Sequence, residues 1–371
     1  MKVCKTMITK EYIPDWDSAD GLREYVVNAL DSDSPMEYSI GTDSMSITSV
    51  GAVLHISDFL LGKSTNRDKK SSVGKHGEGI LTGAIPILRE GGEVCFYNNG
   101  EMWEPVFKHD EDFGKEILCI EVTEDQNDME GFTVYYKGSE DTIETVKDRC
   151  LYLKEMPDQV YESSMGRVFQ EPVSRLYVGG FWVCDSPRHK YSYDFSPEVM
   201  PINRDRKVLA DWDVGINCSK LLAEVADQVD FGEMVLSGQY DTHYLQYAST
   251  PDTTTDVVYE TFTKSYGERA VPASDYEEAD KLEAKYKGLD VNVQVLNDGA
   301  YTTLRHCEKL QDFLVELEEQ VEEVEEEDER TPLELLEEWW LDNIAFGDVD
   351  LSDSFKGVIK MLKERGVSWD D

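Results

Sequence analysis

Positive charge is scarce in this sequence. Lysine and arginine number 36 against 77 aspartates and glutamates, which leaves a formal net charge of −41 over 371 residues. So acidic a surface repels DNA, RNA and anionic lipid, which argues against direct binding to nucleic acid or to a membrane. Two interpretations of the many acidic residues remain: they solubilise the protein, or they imitate a polyanion and occupy the basic groove of a partner protein.

The chain also lacks paired cysteines and long apolar runs. Its seven cysteines form no Cys-x-x-Cys pair, so reduced thiols in a cytoplasm are expected rather than a disulfide framework. The start, MKVCKTMITKEYIPDW, has no apolar run of the kind that a signal peptide carries behind its lysines. No stretch approaches the roughly 20 apolar residues of a membrane span. With 40% hydrophobic residues, the sequence predicts a cytoplasmic globular protein of two or three domains.

The first predicted domain, residues 1–158, mixes helical and strand patterns. Apolar residues at helical spacing predict a helix over 16–31, and strands, a glycine-rich loop, a second helix and further strands follow. One pair of strands is predicted to form a hairpin at the turn sequence Asn-Asn-Gly, residues 98–100. This order predicts an α/β sandwich with a mixed or antiparallel sheet.

Two further parts complete a predicted α+β fold. Residues 159–300 predict a second α/β domain, in which the Ser-, Thr- and Asp-rich stretch 249–273 is expected to be an exposed connection. Residues 301–371 predict an acidic helical region, whose glutamate run is either a solvated helix face or a disordered bridge. The pair Trp339-Trp340 within this region either packs in a core or docks a partner.

Two glycine-rich phrases compete as phosphate-binding loops. The first ends in Gly-Lys-Ser at 62–64, as a Walker A loop does, but Ser57 stands where that loop needs its first glycine. The second is the pattern Gly-x-x-Gly-x-Gly, formed by Gly74, Gly77 and Gly79. It precedes a predicted helix, so its free N–H groups and the positive helix end are expected to face an anion.

An upstream helix carries polar residues on one stripe. Glu24, Asn28 and Asp31 follow one another at i, i+4 and i+7. Asn28 can offer its carbonyl oxygen to Mg²⁺, and Glu24 can accept a proton from an attacking water. The alternative is an ordinary solvent-exposed face. In addition, the predicted strand AVLHISDFLLG runs into Asp58, whose carboxylate can accept a hydrogen bond from an exocyclic amine such as that of adenine.

Together these elements resemble the GHKL, or Bergerat-fold, ATPases, the superfamily of DNA gyrase B, the Hsp-type ninety-kilodalton chaperones, the mismatch-repair MutL proteins and the histidine kinases. The N-box of that family, Glu-x-x-x-Asn-Ala-x-Asp, is matched in full by residues 24–31, and its second glycine box by residues 74–79. Its first glycine box, Asp-x-Gly-x-Gly, is matched only by Asp58 and Gly62, because Leu60 replaces the first glycine. The resemblance covers less than half of the chain.

The resemblance implies a site for ATP and Mg²⁺. In this site Glu24 would orient and deprotonate the hydrolytic water, Asn28 would coordinate Mg²⁺, and Asp58 would read adenine with Thr133 behind it. The segment KSTNRDKKSSV would close over the nucleotide as a lid. The nucleotide-binding residues implied by the resemblance are Asn28, Asp31, Asp58, Gly62, Ser64, Gly74, Lys75, His76, Gly77, Glu78, Gly79 and Thr133.

A looser likeness connects the chain with the stand-alone bacteriophage ATPases of the rIIA kind. It rests on the phrases VGKHGEGILTGAIPIL, GFTVYY and INRDRK. It implies a phage protein that acts on a host factor in the host cytoplasm. The basic cluster at 203–208 is either the lysine-bearing part of a transducer-like second domain or a charged surface turn.

Three functions therefore compete. The first is slow, Mg²⁺-dependent ATP hydrolysis that drives a conformational switch, with homodimerisation as a further expectation. The second is a non-catalytic binding protein on a retained ATPase fold, whose acidic surface mimics DNA and blocks a DNA-binding protein of the host. The third is a chaperone or scaffold that uses ATP only for shape.

Overall fold

The protein is described by a computed structural model covering residues 1–32, 34–55, 79–124, 131–200, 210–248, 252–329, 357–358 and 360–361. The chain forms two compact units, Met1–Pro251 and Asp252–Asp371. Helices and strands are mixed in an α+β fold, as the sequence predicted. The predicted boundary between the first two domains, after residue 158, lies within the first of these units. The division into three domains remains a prediction.

A seven-stranded antiparallel sheet is the centre of the first unit. Its strands are, in chain order, β1 (Lys2–Thr9), β2 (Met36–Ile40), β3 (Ser44–Ser49), β4 (Glu93–Asn98), β5 (Glu101–Asp110), β6 (Lys115–Glu124) and β7 (Phe132–Lys137). In space they follow the order β1-β6-β5-β4-β7-β3-β2. Three helices pack their apolar sides on one face of the sheet and form a single core with it. They are α1 (Ser18–Leu30), α2 (Gly79–Arg89) and α3 (Glu140–Arg149).

Local sequence explains the first helix and the hairpin. Helix α1 begins after Asp17, whose side chain accepts a hydrogen bond from the N–H of Asp20 at 2.8 Å. The side chain of Asp20 accepts in return from the N–H of Asp17, which completes a capping box. Strands β4 and β5 join through Asn99 and Gly100, whose φ angles of 49° and 84° are those of a type I′ turn. The helix and the hairpin predicted from the sequence are thereby confirmed.

Helices α1 and α2 run antiparallel and touch at two glycines. A Cβ added to Gly21 would lie 2.3 Å from the carbonyl oxygen of Gly83. A Cβ added to Gly83 would lie 2.8 Å from the carbonyl oxygen of Gly21. Only glycine at both positions leaves room for so close an approach of the two backbones.

The far end of α2 is tied to the start of α1 by polar side chains. Arg89 donates a hydrogen bond to the carbonyl oxygen of Trp16. Glu90 accepts one from the N–H of Ser18 at 3.1 Å, and so satisfies a backbone donor at the first turn of α1. The crossing of the two helices is therefore held both at its centre and at this end.

A second, five-stranded sheet follows in the same unit. It consists of β8 (Val160–Ser163), β9 (Gly166–Phe169), β10 (Arg175–Val178), β11 (Phe181–Asp185) and β12 (Ser192–Phe195), in the order β11-β10-β12-β9-β8. Strands β10 and β12 are parallel, and the other neighbours are antiparallel. Helices α4 (Asp211–Glu224) and α5 (Phe231–Leu236) come next. The sequence predicted the strands and the helix of this region, and the loop predicted before α4 lies outside the described residues.

The second unit contains α6 (Asp252–Tyr266), β13 (Ala270–Ala273), α7 (Tyr276–Lys285), β14 (Asn292–Val295), α8 (Asp298–Arg305) and α9 (Glu308–Glu329). The expectation of an exposed connection over 249–273 was wrong, because α6 and β13 occupy most of it. Its many Ser, Thr and Asp residues conceal a helical stripe of Thr254, Val258 and Phe262, each fully buried at i, i+4 and i+8.

The glutamate run is helical as far as it is described. Helix α9 extends through Glu329, and its residues Leu310 and Leu317 are fully buried, which anchors the first part of the helix. Trp339-Trp340 lie outside the described residues. All seven cysteines are free thiols, as expected. No helix in the described part of the chain has the length and apolar character needed to cross a bilayer.

Substituting Gly21 tests the helix crossing. Gly21→Ala is expected to lower the free energy of unfolding by about 1–3 kcal/mol, because the added methyl group must separate two backbones. At an open helical position the same change stabilises by about 1 kcal/mol. Gly357→Ala is the control, since an added Cβ there would meet no atom within 4 Å. Urea unfolding followed by circular dichroism measures both, and an unchanged or higher midpoint for Gly21→Ala would contradict the contact.

Candidate functional site

The beginning of α2 lies against the middle of α1. A Cβ added to Gly79 would lie 2.8 Å from Asn28 Nδ2 and 3.1 Å from Glu24 Oε2. The fold therefore brings together the last glycine of the second glycine box and two residues of the polar stripe. Gly79 is distant in the chain from Glu24 and Asn28, and all three were predicted to belong to one site.

Glu24 is a buried carboxylate with a cation beside it. Its exposed fraction is 8%, and Arg23 Nη2 lies 3.4 Å from its Oε1. Arg23 also pairs with Asp20 at 2.7 Å, and its guanidinium lies 5.5 Å from the centre of the Trp16 ring. A buried carboxylate is costly to ionise unless a cation or hydrogen bonds support the charge. Arg23 supplies such support on the side of Glu24 away from Gly79.

Asn28 carries a buried polar atom without a partner. Its Nδ2 donates no hydrogen bond to any of the described residues. Leaving a buried donor unpaired costs about 1–3 kcal/mol, and an unsatisfied polar group in a folded protein is often completed by a ligand or an ion. By rotating its amide through half a turn, Asn28 can present either N–H donors or a carbonyl oxygen to the same point.

A small cavity opens beside these residues, between α1, the start of α2 and the sheet. The walls formed by the described residues enclose about 70 Å³. They are Tyr25, Asn28, Ala29, Ser32, Ile47, Ser49, Ala52, Leu54, Ile80, Phe132 and Val134. Mostly apolar walls with a few polar groups are typical of sites for small organic ligands.

The chain that leads towards Asp58 is held by Asn98, at the end of β4. The side chain of Asn98 accepts a hydrogen bond from the N–H of Leu54 at 3.1 Å and donates one to the carbonyl oxygen of Leu54 at 2.8 Å. Asn98 itself is only 4% exposed. These two hydrogen bonds resemble the pair that one residue makes in a β-sheet, and they fix the backbone of Leu54 in the cavity wall.

Thr133 does not reach this cavity. Its neighbours in β7, Phe132 and Val134, line the cavity, and successive side chains of a strand point to opposite faces. Thr133 therefore points to the other face of the sheet, where its hydroxyl lies 2.9 Å from the hydroxyl of Thr48. This orientation does not suit the expected position of Thr133 behind an adenine-reading carboxylate. Ser49 of β3 is the polar strand residue that does face the cavity.

The remaining predicted residues are not brought into the cluster by the described structure. Asp31 is the C-cap of α1, with a helical backbone at φ −76° and ψ −10°. The following predicted residues lie outside the described part of the chain: Asp58, Gly62, Ser64, Gly74, Lys75, His76, Gly77 and Glu78. The same is true of the predicted lid and of the basic cluster at 203–208.

Within the described residues, no group of three or more His, Cys, Asp and Glu side chains could hold a metal ion. Mg²⁺ nonetheless commonly takes only one or two protein oxygens and completes its shell with water and phosphate. If the Asn28 amide is rotated by half a turn, its carbonyl oxygen takes the place of the unpaired Nδ2 and can serve as such a ligand.

Three polar residues of the cavity were not predicted from the sequence: Tyr25, Ser32 and Ser49. Tyr25 lies on the apolar stripe of α1, where an aromatic residue indicates core packing. The alternation of buried Met45 and Ile47 in β3 places Ser49 on the same face of the sheet. The sequence of the strand does not show which face meets α1, so the position of Ser49 could not be predicted from it.

A double-mutant cycle tests the contact between Gly79 and Asn28 without assuming a function. Gly79→Ala is expected to destabilise by about 1–3 kcal/mol, because its Cβ meets the Asn28 amide. Asn28→Ala is expected to be neutral or stabilising, because it removes an unpaired buried group. In the Asn28→Ala background the cost of Gly79→Ala should fall by at least about 0.5 kcal/mol, as it does for residues in contact. Equal costs in both backgrounds, measured by urea unfolding, would contradict the geometry.

Comparison with known proteins adds one relative. No family model matches the chain. The chain is similar to an uncharacterized protein of Mycoplasma pneumoniae, with 22% identity over 219 residues, which cover 54% of this chain and 89% of that protein. This similarity indicates no activity, so the function rests on the site.

Proposed function

We propose that the first unit binds ATP with Mg²⁺ in the manner of a GHKL ATPase and hydrolyses it slowly to drive a conformational switch. The observation that carries the proposal is the position of Gly79 against Glu24 and Asn28. A glycine at a helix start stands next to a buried carboxylate and an unpaired amide, beside an apolar cavity. Backbone N–H groups at a helix start suit phosphate, and such a cavity suits a planar base.

The architecture supports the same proposal. An antiparallel sheet with three helices on one face is consistent with a Bergerat-type sandwich, and α2 begins at the last glycine of the second glycine box, against the N-box residues of α1. The segment that carries Asp58 follows Leu54, a residue of the cavity wall that Asn98 holds in place. In the proposed complex Asp58 accepts a hydrogen bond from the exocyclic amine of adenine.

Each described residue then has a chemical task. Glu24 is buried beside the helix start, where it orients a water and accepts its proton. Asn28 is the residue that would hold Mg²⁺, which when bound neutralises the charge of the phosphates. The absence of a side chain at Gly79 leaves the backbone of α2 accessible to those phosphates. Because the protein mainly positions groups and offsets charge, a low turnover is expected.

The second candidate is the non-catalytic acidic binding protein. It is favoured by Leu60, which replaces a glycine of the first glycine box, and by the net charge of −41. The buried carboxylate of Glu24 favours the enzyme instead, because a binding protein has no need for a group that is costly to bury and that activates water.

Nucleotide-dependent stability and phosphate release distinguish the two. Mg²⁺-ATP at 100 times its dissociation constant should stabilise the wild-type protein by about 2.7 kcal/mol. Asp58→Asn should lose this stabilisation. Glu24→Gln should keep it but release phosphate about 10²–10⁴ times more slowly, as expected when a general base is removed.

The control for both variants is Glu144→Ala, which removes an exposed carboxylate on α3. It should leave binding and phosphate release unchanged. If no nucleotide alters the melting temperature of the wild-type protein, the ATPase proposal fails and the acidic binding protein becomes the better explanation. Phosphate release that survives in Glu24→Gln would mean that the activity comes from a contaminant or from another group.

A further inference from the structure

Tyr25, a residue that lines the cavity, carries a second unpaired polar group. Tyr25 is 1% exposed, and its hydroxyl oxygen is buried without a hydrogen-bond partner among the described residues. Asn28, whose Nδ2 is also buried and unpaired, lies one helical turn further along α1 and lines the same cavity. Two neighbouring residues of one helix therefore line the cavity and carry unused hydrogen-bonding atoms.

The packing of Tyr25 does not require its hydroxyl. The ring meets the ring of Phe96 edge-on, with 5.7 Å between the centroids, and a Cβ at Gly83 would lie 3.0 Å from its Cζ. A phenylalanine would make both contacts equally well. Burial raises the pKa of the Tyr25 hydroxyl well above its usual range, so the group remains a neutral O–H that can donate one hydrogen bond and accept another.

Retaining this hydroxyl is costly for the folded protein. A buried hydroxyl without a partner destabilises by about 1–3 kcal/mol, whereas the buried side chain of Asn98 both accepts a hydrogen bond from a backbone group and donates one to another. A polar group that packing does not need and that the protein does not satisfy is explained when a ligand completes it.

We propose that the Tyr25 hydroxyl is a specificity-determining group that binds the polar edge of the base of an adenine nucleotide in this cavity. The bond is made directly or through one trapped water, for which 70 Å³ is ample space. The inference rests on the proposed function, since it assumes that the ligand is a nucleotide. It adds that the back of the cavity recognises hydrogen-bonding edges and rejects purely apolar rings of the same size.

The test is Tyr25→Phe, measured in the full chain with and without ligand. Without ligand the variant should melt at a higher temperature than wild type, because the unpaired hydroxyl is gone. Isothermal titration with Mg²⁺-ATP should show an affinity about 3–10 times weaker, the value of one hydrogen bond. Stability and affinity therefore change in opposite directions, which a general loss of structure would not produce.

Tyr136→Phe is the matched control. Tyr136 is equally buried at 1% exposure in the same core, but it is not among the residues that line the cavity. This substitution should leave the affinity for Mg²⁺-ATP unchanged.

The outcomes separate the inference from the proposed function. If the wild-type protein binds no nucleotide, the proposed function fails and the inference falls with it. If wild type binds Mg²⁺-ATP and Tyr25→Phe binds it as tightly, only the inference is overturned. A ligand-free Tyr25→Phe protein that is less stable than wild type would also overturn it, because the hydroxyl would then have a partner within the protein.

Discussion

The close approach of α1 and α2 at Gly21 and Gly83 is the constraint on which the site depends. Any side chain at either glycine would move the helices apart. Because the helices run antiparallel, this contact also sets how near the first residue of α2 comes to Glu24 and Asn28. The hydrogen bonds of Arg89 and Glu90 hold the other end of α2. The glycine contact therefore determines mainly where α2 begins.

The unsatisfied polar atoms of the protein are unevenly distributed. In the described part of the chain five buried side-chain nitrogen or oxygen atoms have no partner, and α1 carries three of them, on Arg23, Tyr25 and Asn28. Well-packed proteins leave few such groups, and those that remain concentrate where stability is exchanged for function. This helix is otherwise well built, with a capping box and a buried apolar stripe, so the unpaired atoms are not a sign of a weak element.

Local features of the fold could be predicted from the sequence, and features that join distant segments could not. The capping box of α1 and the Asn-Asn-Gly turn act within a few residues, so their sequences determine them. The spacing of Glu24 and Asn28 is local as well, because one helical turn separates them. By contrast, the orientation of Thr133 depends on which face of β7 meets the helices, and that face is decided by the whole core. The contact between Gly21 and Gly83 could not be predicted for the same reason. Neither glycine has a positive φ angle, so no local turn requires glycine there, and the requirement comes from the other helix.

The bonds between Asn98 and Leu54 have a consequence for local opening of the chain. Leu54 belongs to no strand, yet both of its backbone polar groups are engaged by one buried side chain. Its amide should therefore exchange with solvent at the slow rate of the sheet, although it lies in a loop. Since Asn98 also begins the β4–β5 turn, Leu54 can open only when its bonds to that end of the hairpin break. A tight turn and a distant wall of the cavity thus behave as one cooperative unit.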